Sequence, residues 1–167
     1  MAIIIRWVEP NDAPQLVDFF AAVDTETRFL LYEPGERATT AEEWRQRIEA
    51  TLASGIDLFL VAADGNQIVG FLRGAGDTRQ RLRHTLHLVL AVRQSHAGQG
   101  IATQLFAGME EWALAHGIHR LQLEVASDNT RALALYHRLG FRVEGFHRHA
   151  VLLDGKWIDD YTMGRLL

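Results

Sequence analysis

The sequence predicts an α/β fold with one mixed, mostly antiparallel sheet and helices on both faces. Its hydrophobic patterns follow the order β-α-α-β-β-β and then α-β-α-β-β. A β-α-β unit in the middle of the chain predicts two parallel strands. Turn signals at Asp64-Gly65-Asn66 and Asp154-Gly155 predict antiparallel hairpins. Because no linker or repeat interrupts this order, we expect one domain over residues 1–167.

Length and composition narrow the class of protein. The chain has 167 residues, of which 48% are hydrophobic and 23% are charged, so it can bury a sizeable core. A net charge of −4 gives no reason to expect a nucleic-acid partner. Cysteine is absent, so neither disulfides nor a thiol nucleophile are expected. The sequence shows no signal-peptide layout and no apolar run long enough for a membrane, so we expect a cytoplasmic protein.

The first part of the chain predicts a strand followed by two helices. Ala2 to Val8 is short and rich in β-branched residues, as is typical of a strand. Asn11 or Asp12 can cap the first helix, and Thr39 or Thr40 can begin the second, which Gly55 ends. The predicted buried faces comprise Leu16, Phe19, Phe20 and Val23 on the first helix and Trp44, Ile48 and Leu52 on the second.

Three strands are predicted next. Asp57 to Ala63 and Gln67 to Leu72 form a hairpin, and a polar loop over Gly76 to Arg83 follows. His84 to Val92 contains LHLVLAV, whose weak alternation is typical of a central strand covered on both faces.

The rest of the chain predicts two helices and three strands. A helix extends from the glycine turn to about His116, because Ile101, Leu105, Met109 and Trp112 have helical spacing. The remaining predicted elements are a strand at Leu121 to Ala126, a short helix from about Asn129 to Leu139 closed by Gly140, and strands at Phe141 to Leu153 and Lys156 to Leu167.

The stretch SHAGQGIATQLF, Ser95 to Phe106, places two glycines directly before a helix. Backbone N–H groups of roughly Gly98 to Thr103 can bind a diphosphate there, although a tight strand-to-helix turn needs glycine as well. A Walker A loop is excluded because its GK[ST] ending is absent. A dinucleotide-binding fingerprint would need a third glycine where Thr103 stands. Glu124 can mimic its ribose-binding acid, but the 43 residues that follow are too few for a full dinucleotide domain.

From about His84 onward the chain resembles the GNAT family of N-acetyltransferases. The resemblance is carried by VLAV, by AGQGIATQLF and by LEVASDNTRALALYHRLGFRVEG. The family's phosphate loop, [QR]-x-x-G-x-[GA], maps to Ala97-Gly98-Gln99-Gly100-Ile101-Ala102, in which Ala97 replaces the usual Arg or Gln. The block N-x-x-A-x-x-x-Y-x-x-x-G-F maps to Asn129, Ala132, Tyr136, Gly140 and Phe141.

This resemblance implies acetyl-CoA as co-substrate and direct attack of an amine on the thioester, without a metal. The implied coenzyme-binding residues are Leu90, Ala91, Val92, Ala97, Gly98, Gln99, Gly100, Ile101, Ala102, Thr103, Asn129 and Tyr136. Tyr136 is implied to protonate the leaving thiolate, although its helical stripe also fits a core aromatic. Ser127, Asp128 or Asn129 can cap the short helix, a role compatible with coenzyme contact.

The general base is the least determined part of the implied site. Many relatives carry a glutamate on the central strand about ten residues before the phosphate loop, and here His87 stands near that place. An imidazole can accept a proton near neutral pH. His84, Glu124 and a chain of water molecules are alternatives. The pair His147-x-His149 on a strand offers two metal ligands on one face, but we identify no third ligand.

The acceptor is expected to be a small amine, an amino acid or a peptide N-terminus. The variable segments of such enzymes correspond to residues 25–37, 74–83 and 151–157, whose acids can attract a cationic amine: Glu26, Glu33, Glu36, Asp77 and Asp154. A longer acyl donor is also compatible with the sequence. The main alternative function is that of a non-catalytic acyl-CoA-binding domain, and the third hypothesis is a nicotinamide-dependent dehydrogenase. A homodimer is expected because exposed strand edges often pair.

Overall fold

A computed structural model describes residues 2–167, and its elements follow the predicted order. The strands are β1 (Ile4–Trp7), β2 (Leu58–Asp64), β3 (Gln67–Ala75), β4 (Thr85–Val92), β5 (Arg120–Ala126), β6 (Arg142–Leu153) and β7 (Lys156–Leu166). The helices are α1 (Ala13–Glu26), α2 (Ala41–Ser54), α3 (Ile101–Ala115) and α4 (Thr130–Arg138). No helix within residues 2–167 is both long and apolar enough to cross a membrane.

Helix α2 begins and ends at residues that the sequence predicts. Thr40 accepts a hydrogen bond from the Glu43 N–H, and the Glu43 carboxylate accepts one from the Thr40 N–H, which completes a capping box. Gly55 ends the helix with a φ of +68°, a left-handed conformation that favours glycine.

The seven strands form one sheet in the order β1-β2-β3-β4-β5-β7-β6. Among its neighbouring pairs, β4 and β5 alone are parallel. The prediction of a mixed, mostly antiparallel sheet is therefore confirmed. β4 and β5 lie next to each other near the middle of the sheet, and they are parallel because α3 connects them as a crossover.

Two hydrophobic clusters pack against opposite faces of this sheet. Helices α1 and α2 cover one face with a cluster that includes Phe19, Phe20 and Trp44. Helix α3 covers the other face with Leu105, Phe106 and Met109, to which α4 adds Tyr136. Leu52 was predicted to be buried, but 43% of it is exposed, and Thr51 occupies the buried position instead.

The predicted covering of β4 on both faces is wrong. Leu86 and Leu88 are buried against the α3 side, whereas His87 is exposed and Val89 is 51% exposed on the opposite side. The reason is that α1 and α2 pack over β2 and β3 and leave this part of β4 uncovered. We call the uncovered side of β4, β5 and β7 the open face.

A buried ion pair holds the chain where β1 leads into α1. The Asp12 carboxylate accepts two hydrogen bonds of 2.7 Å from Arg6 and one of 2.8 Å from the Glu9 N–H. Burial raises the pKa of Asp12, but the hydrogen bonds from Arg6 and Glu9 outweigh burial, so the net pKa is lowered.

We expect Asp12→Asn to lower the free energy of unfolding by about 2 kcal/mol at pH 7, because Arg6 loses its buried partner. Since a lowered pKa contributes stability above its unfolded value, the loss should shrink as the pH falls below about 3.9. Urea unfolding at several pH values measures this, with the exposed Asp18→Asn on α1 as control. Equal losses of unfolding free energy in Asp12→Asn and Asp18→Asn would contradict a stabilising role of the Arg6–Asp12 ion pair.

Candidate active site

The sheet opens between β4 and β5. These strands pair only over Thr85–His87 and Arg120–Gln122. Beyond that point, β4 remains paired with β3 up to Val92, and β5 remains paired with β7 up to Ala126. We call the opening between residues 88–92 and residues 123–126 the β4–β5 gap. Backbone groups of β4 that point into this gap have no ladder partner and can bond an extended ligand.

The predicted glycine turn lies where β4 leads into α3. Gly98 and Gly100 have φ values of +79° and +77°, which side chains rarely adopt, and nothing lies within 4 Å of a Cβ placed at either residue. The first N–H of this segment with an acceptor is that of Gln104, bonded to the Gly100 carbonyl at 3.1 Å. Within the described chain, the N–H groups of residues 98–103 have no acceptor. The turn therefore presents unbonded N–H groups at the positive end of a helix dipole.

Asn129 lies on the far side of the gap, at the start of α4. Its side-chain oxygen accepts a hydrogen bond of 3.2 Å from the Ala132 N–H. This residue is therefore the cap among the three candidates that the sequence offered. Its side-chain NH₂ group donates to no described residue and remains available.

Tyr136 lies about two helical turns further along α4, with 8% of its surface exposed. Its ring packs against Phe106 and Phe141, with centroid distances of 6.0 and 5.9 Å. Its hydroxyl makes no hydrogen bond to any of residues 2–167. Burial raises the pKa of Tyr136 to about 12, so the phenol is protonated at neutral pH.

The open face brings His87 and Glu124 onto the same side of the sheet. His87 pairs with Gln122, and Glu124 lies two residues further along β5. Both side chains are exposed, and the carboxylate of Glu124 makes no ion pair or hydrogen bond with the described residues. His84 lies before β4, where its carbonyl accepts hydrogen bonds from the N–H groups of His119 and Arg120.

Asp160 also belongs to this face, and sequence reasoning missed it. It pairs with Ala126 across β5 and β7 and with His147 across β6 and β7. Burial raises the pKa of Asp160, and the nearby negative charge of Glu124 raises it further. Its buried Oδ1 has no hydrogen-bond partner among the described residues.

The predicted acceptor acids differ in their surroundings. Arg93 donates to Glu26 at 2.8 Å, and Arg79 binds Asp77, whose pKa these hydrogen bonds lower to about 2. Glu36 accepts a hydrogen bond from the Glu33 N–H. Asp154 and Glu33 line a cavity of about 400 Å³ between the α1–α2 loop and the β6–β7 turn. Two of the five acids are therefore already neutralised by arginines.

Ion pairs attach the end of α1 to both sides of the gap. Glu26 accepts from Arg93 and from the Gln94 N–H, just beyond β4, at 2.8 Å each. Arg28 pairs with Asp128, just beyond β5. The α1–α2 loop is thereby held over the end of the gap.

The expectation that His147 and His149 point to one face is wrong. A bulge interrupts the β6–β7 register after His147, and His149 has a φ of +54°. The His149 ring stacks on Trp157 with a centroid distance of 5.5 Å. In the part of the chain that the structure describes, no three His, Asp or Glu side chains are grouped to hold a metal ion.

Comparison with known proteins identifies relatives of this chain. The family described as "Acetyltransferase (GNAT) family" matches residues 20–141. A solved acetyltransferase of the GNAT family from Streptococcus pneumoniae is 33% identical to the chain. The match covers 99% of this chain and 100% of that one, with a TM-score of 0.95.

Two further solved structures share the fold at lower identity. Ribosomal-protein-alanine N-acetyltransferase from Brucella melitensis is 24% identical, over 98% of this chain and 99% of that one, with a TM-score of 0.85. A phosphinothricin acetyltransferase from Sinorhizobium meliloti, solved in complex with acetyl-CoA, is 19% identical over 100% of this chain and 89% of that one, with a TM-score of 0.84. At these identities the likeness concerns the fold alone.

Proposed function

The chain belongs to the GNAT family of acetyltransferases, and on that basis we propose that it transfers the acetyl group of acetyl-CoA to the nitrogen of a primary amine. The observation that carries the proposal is the β4–β5 gap, which ends beside a turn of unbonded N–H groups. A thioester in the gap would be open to an amine approaching across the open face.

Donor binding rests mainly on the backbone. The N–H groups of residues 98–103 can hold the diphosphate, and Ala97 can lack the usual Arg or Gln side chain because the amides remain. The acyl-pantetheine arm can then bond β4 at Leu90, Ala91 and Val92, while the free NH₂ group of Asn129 donates from the opposite side.

The transfer requires a base and an acid. The ammonium group of the substrate loses a proton to the base, and the lone pair of the resulting amine forms the C–N bond to the thioester carbon. The nitrogen then releases its second proton to solvent, which leaves a neutral amide. The C–S bond then breaks, and the sulfur takes a proton from the acid. Tyr136 suits the role of the acid because its buried phenol is protonated and has no hydrogen-bond partner in the described chain.

We assign the base to His87, which is exposed on the open face at the last residue paired before the gap. Glu124 is the second candidate, because it shares this face and has no partner in the described chain. Neither side chain needs to move out of the core to reach a substrate.

We further propose that the domain spans residues 1–167 and acts in the cytoplasm, where acetyl-CoA is available.

We also expect a homodimer formed through the edge strand β6. The β6–β7 hairpin has four large apolar side chains that are each more than 40% exposed: Val143, Phe146, Leu152 and Trp157. Apolar surface on an edge strand favours pairing with a second copy.

We expect calorimetric titration to give micromolar binding of acetyl-CoA and none of NADH. Gly100→Val should weaken acetyl-CoA binding at least 10-fold, since a β-branched residue strains a φ of +77° and obstructs the amides. Gly117→Val, at a φ of +69° beyond α3, is the matched control. Wild-type protein that binds no acetyl-CoA would favour the non-catalytic alternative, and binding of NADH would favour a dehydrogenase.

Tyr136→Phe should lower kcat about 100-fold with a primary amine and leave the Kd for acetyl-CoA nearly unchanged, because only the donated proton is lost. Thiol release in steady-state assays measures kcat. Tyr161→Phe, on β7 against Phe146, controls for loss of a hydroxyl. Full retention of kcat in Tyr136→Phe would remove this residue from the mechanism.

For wild-type enzyme we expect kcat/KM to fall as the pH decreases and the base takes up a proton. His87→Gln should have a lower kcat/KM and lose this dependence, because glutamine does not titrate. Glu124→Gln is assayed in parallel over the same pH range. A wild-type profile in His87→Gln, together with a flat profile in Glu124→Gln, would transfer the role to Glu124.

A further inference from the structure

Among the arginines on strands β1 to β5 and β7, one lacks the carboxylate partner that the other three have. Outside the edge strand β6, the strands contain four arginines: Arg6, Arg73, Arg120 and Arg165. Arg6 pairs with Asp12 at 2.7 Å, Arg120 pairs with Glu144, and Arg165 pairs with Glu110 at 2.9 Å. The guanidinium of Arg73 makes no ion pair, hydrogen bond or ring contact with residues 2–167.

Arg73 lies where the helical covering of the sheet ends. On β3 it stands between Phe59 of β2 and Val89 of β4. Phe59 is 3% exposed beneath the helices, whereas Val89 is 51% exposed and Arg73 is itself exposed. Val89 and Arg73 are therefore both accessible to a ligand on the open face.

The position of Arg73 relative to the proposed chemistry limits the size of such a ligand. Because Ala75 pairs with His87 and Arg73 pairs with Val89, Arg73 and His87 are diagonal neighbours on one face. Adjacent strands lie about 4.8 Å apart. A small molecule can therefore place an amine over β4, beside the gap, and a second group over β3.

The positive charge of Arg73 indicates the chemistry of the group that the ligand places over β3. The guanidinium of arginine matches a carboxylate through two parallel hydrogen bonds. Glu124, with no described partner, lies across the gap and attracts an ammonium. The open face thus has a positive group on one side of the reacting position and a negative group on the other.

We propose that Arg73 binds the carboxylate of the acceptor and that the acceptor is a free amino acid rather than a peptide N-terminus. This inference rests on the proposed acetyl transfer and names its substrate class. A peptide N-terminus has an amide at the corresponding position, which cannot form the ion pair. Arg73 is accordingly a specificity-determining residue that holds the substrate's carboxylate while the amine reacts.

The test compares each amino acid with its α-carboxamide, which has nearly the same size without the negative charge. Thiol release from acetyl-CoA gives kcat/KM for the twenty standard amino acids and their amides. We expect wild-type enzyme to have a higher kcat/KM for one or more amino acids than for their amides. Arg73→Gln should reduce the ratio of kcat/KM for the amino acid to kcat/KM for its amide about 10-fold or more. Arg73→Lys should keep part of this preference, because the charge remains.

Arg138→Gln is the matched control, since Arg138 is exposed on α4 and has no partner in the described chain. An equal change of the ratio in both variants would overturn the role of Arg73. Wild-type enzyme that prefers amides or peptides would overturn the inference and leave amine acetylation intact. Enzyme that acetylates neither class of acceptor would overturn the proposed function together with the inference.

Discussion

The parting of β4 and β5 after three paired residues is the constraint on which the remaining structure of the site depends. Each strand can leave the other because it has a second partner: β3 accompanies β4 to Val92, and β7 accompanies β5 to Ala126. The gap therefore removes ladder bonds on one side only. Since α3 begins shortly after β4 ends, the glycine turn necessarily lies at the end of the gap. One irregularity of the sheet thus brings an unpaired stretch of β4 next to a turn of unbonded N–H groups.

The two halves of the proposed site use different kinds of chemical group. The proposed donor half consists of backbone N–H groups and the Asn129 amide, so it does not require a longer side chain at Ala97. The acceptor half depends on side chains that the sheet directs toward its open face. Backbone recognition is preserved when side chains change, whereas acceptor choice can change with a single charge. This division allows one fold to accept many amines.

Ion pairs connect these halves without adding much stability. Glu26 binds the chain just after β4, and Arg28 binds Asp128 just after β5. Arg28 and Asp128 are both exposed, and exposed pairs contribute at most about 1 kcal/mol each. Their effect is geometric, because they hold the α1–α2 loop over the gap. The pair of Arg37 with buried Asp24 at 2.8 Å fixes the other end of this loop.

The sequence by itself determined the features that depend on neighbours in the chain. Element order, the end of α2 at Gly55 and the glycine turn follow from periodicity and backbone conformation, whereas the sequence narrowed the caps of α2 and α4 to two and three neighbouring residues. Only the tertiary structure decided which side of β4 is open, that Glu26 and Asp77 are neutralised, and that Asp160 joins the site. Arg93 and Glu26 are 67 residues apart in sequence, and no local pattern specifies such a contact. Exposure and charge pairing depend on which distant elements pack together, and that is settled when the whole sheet forms.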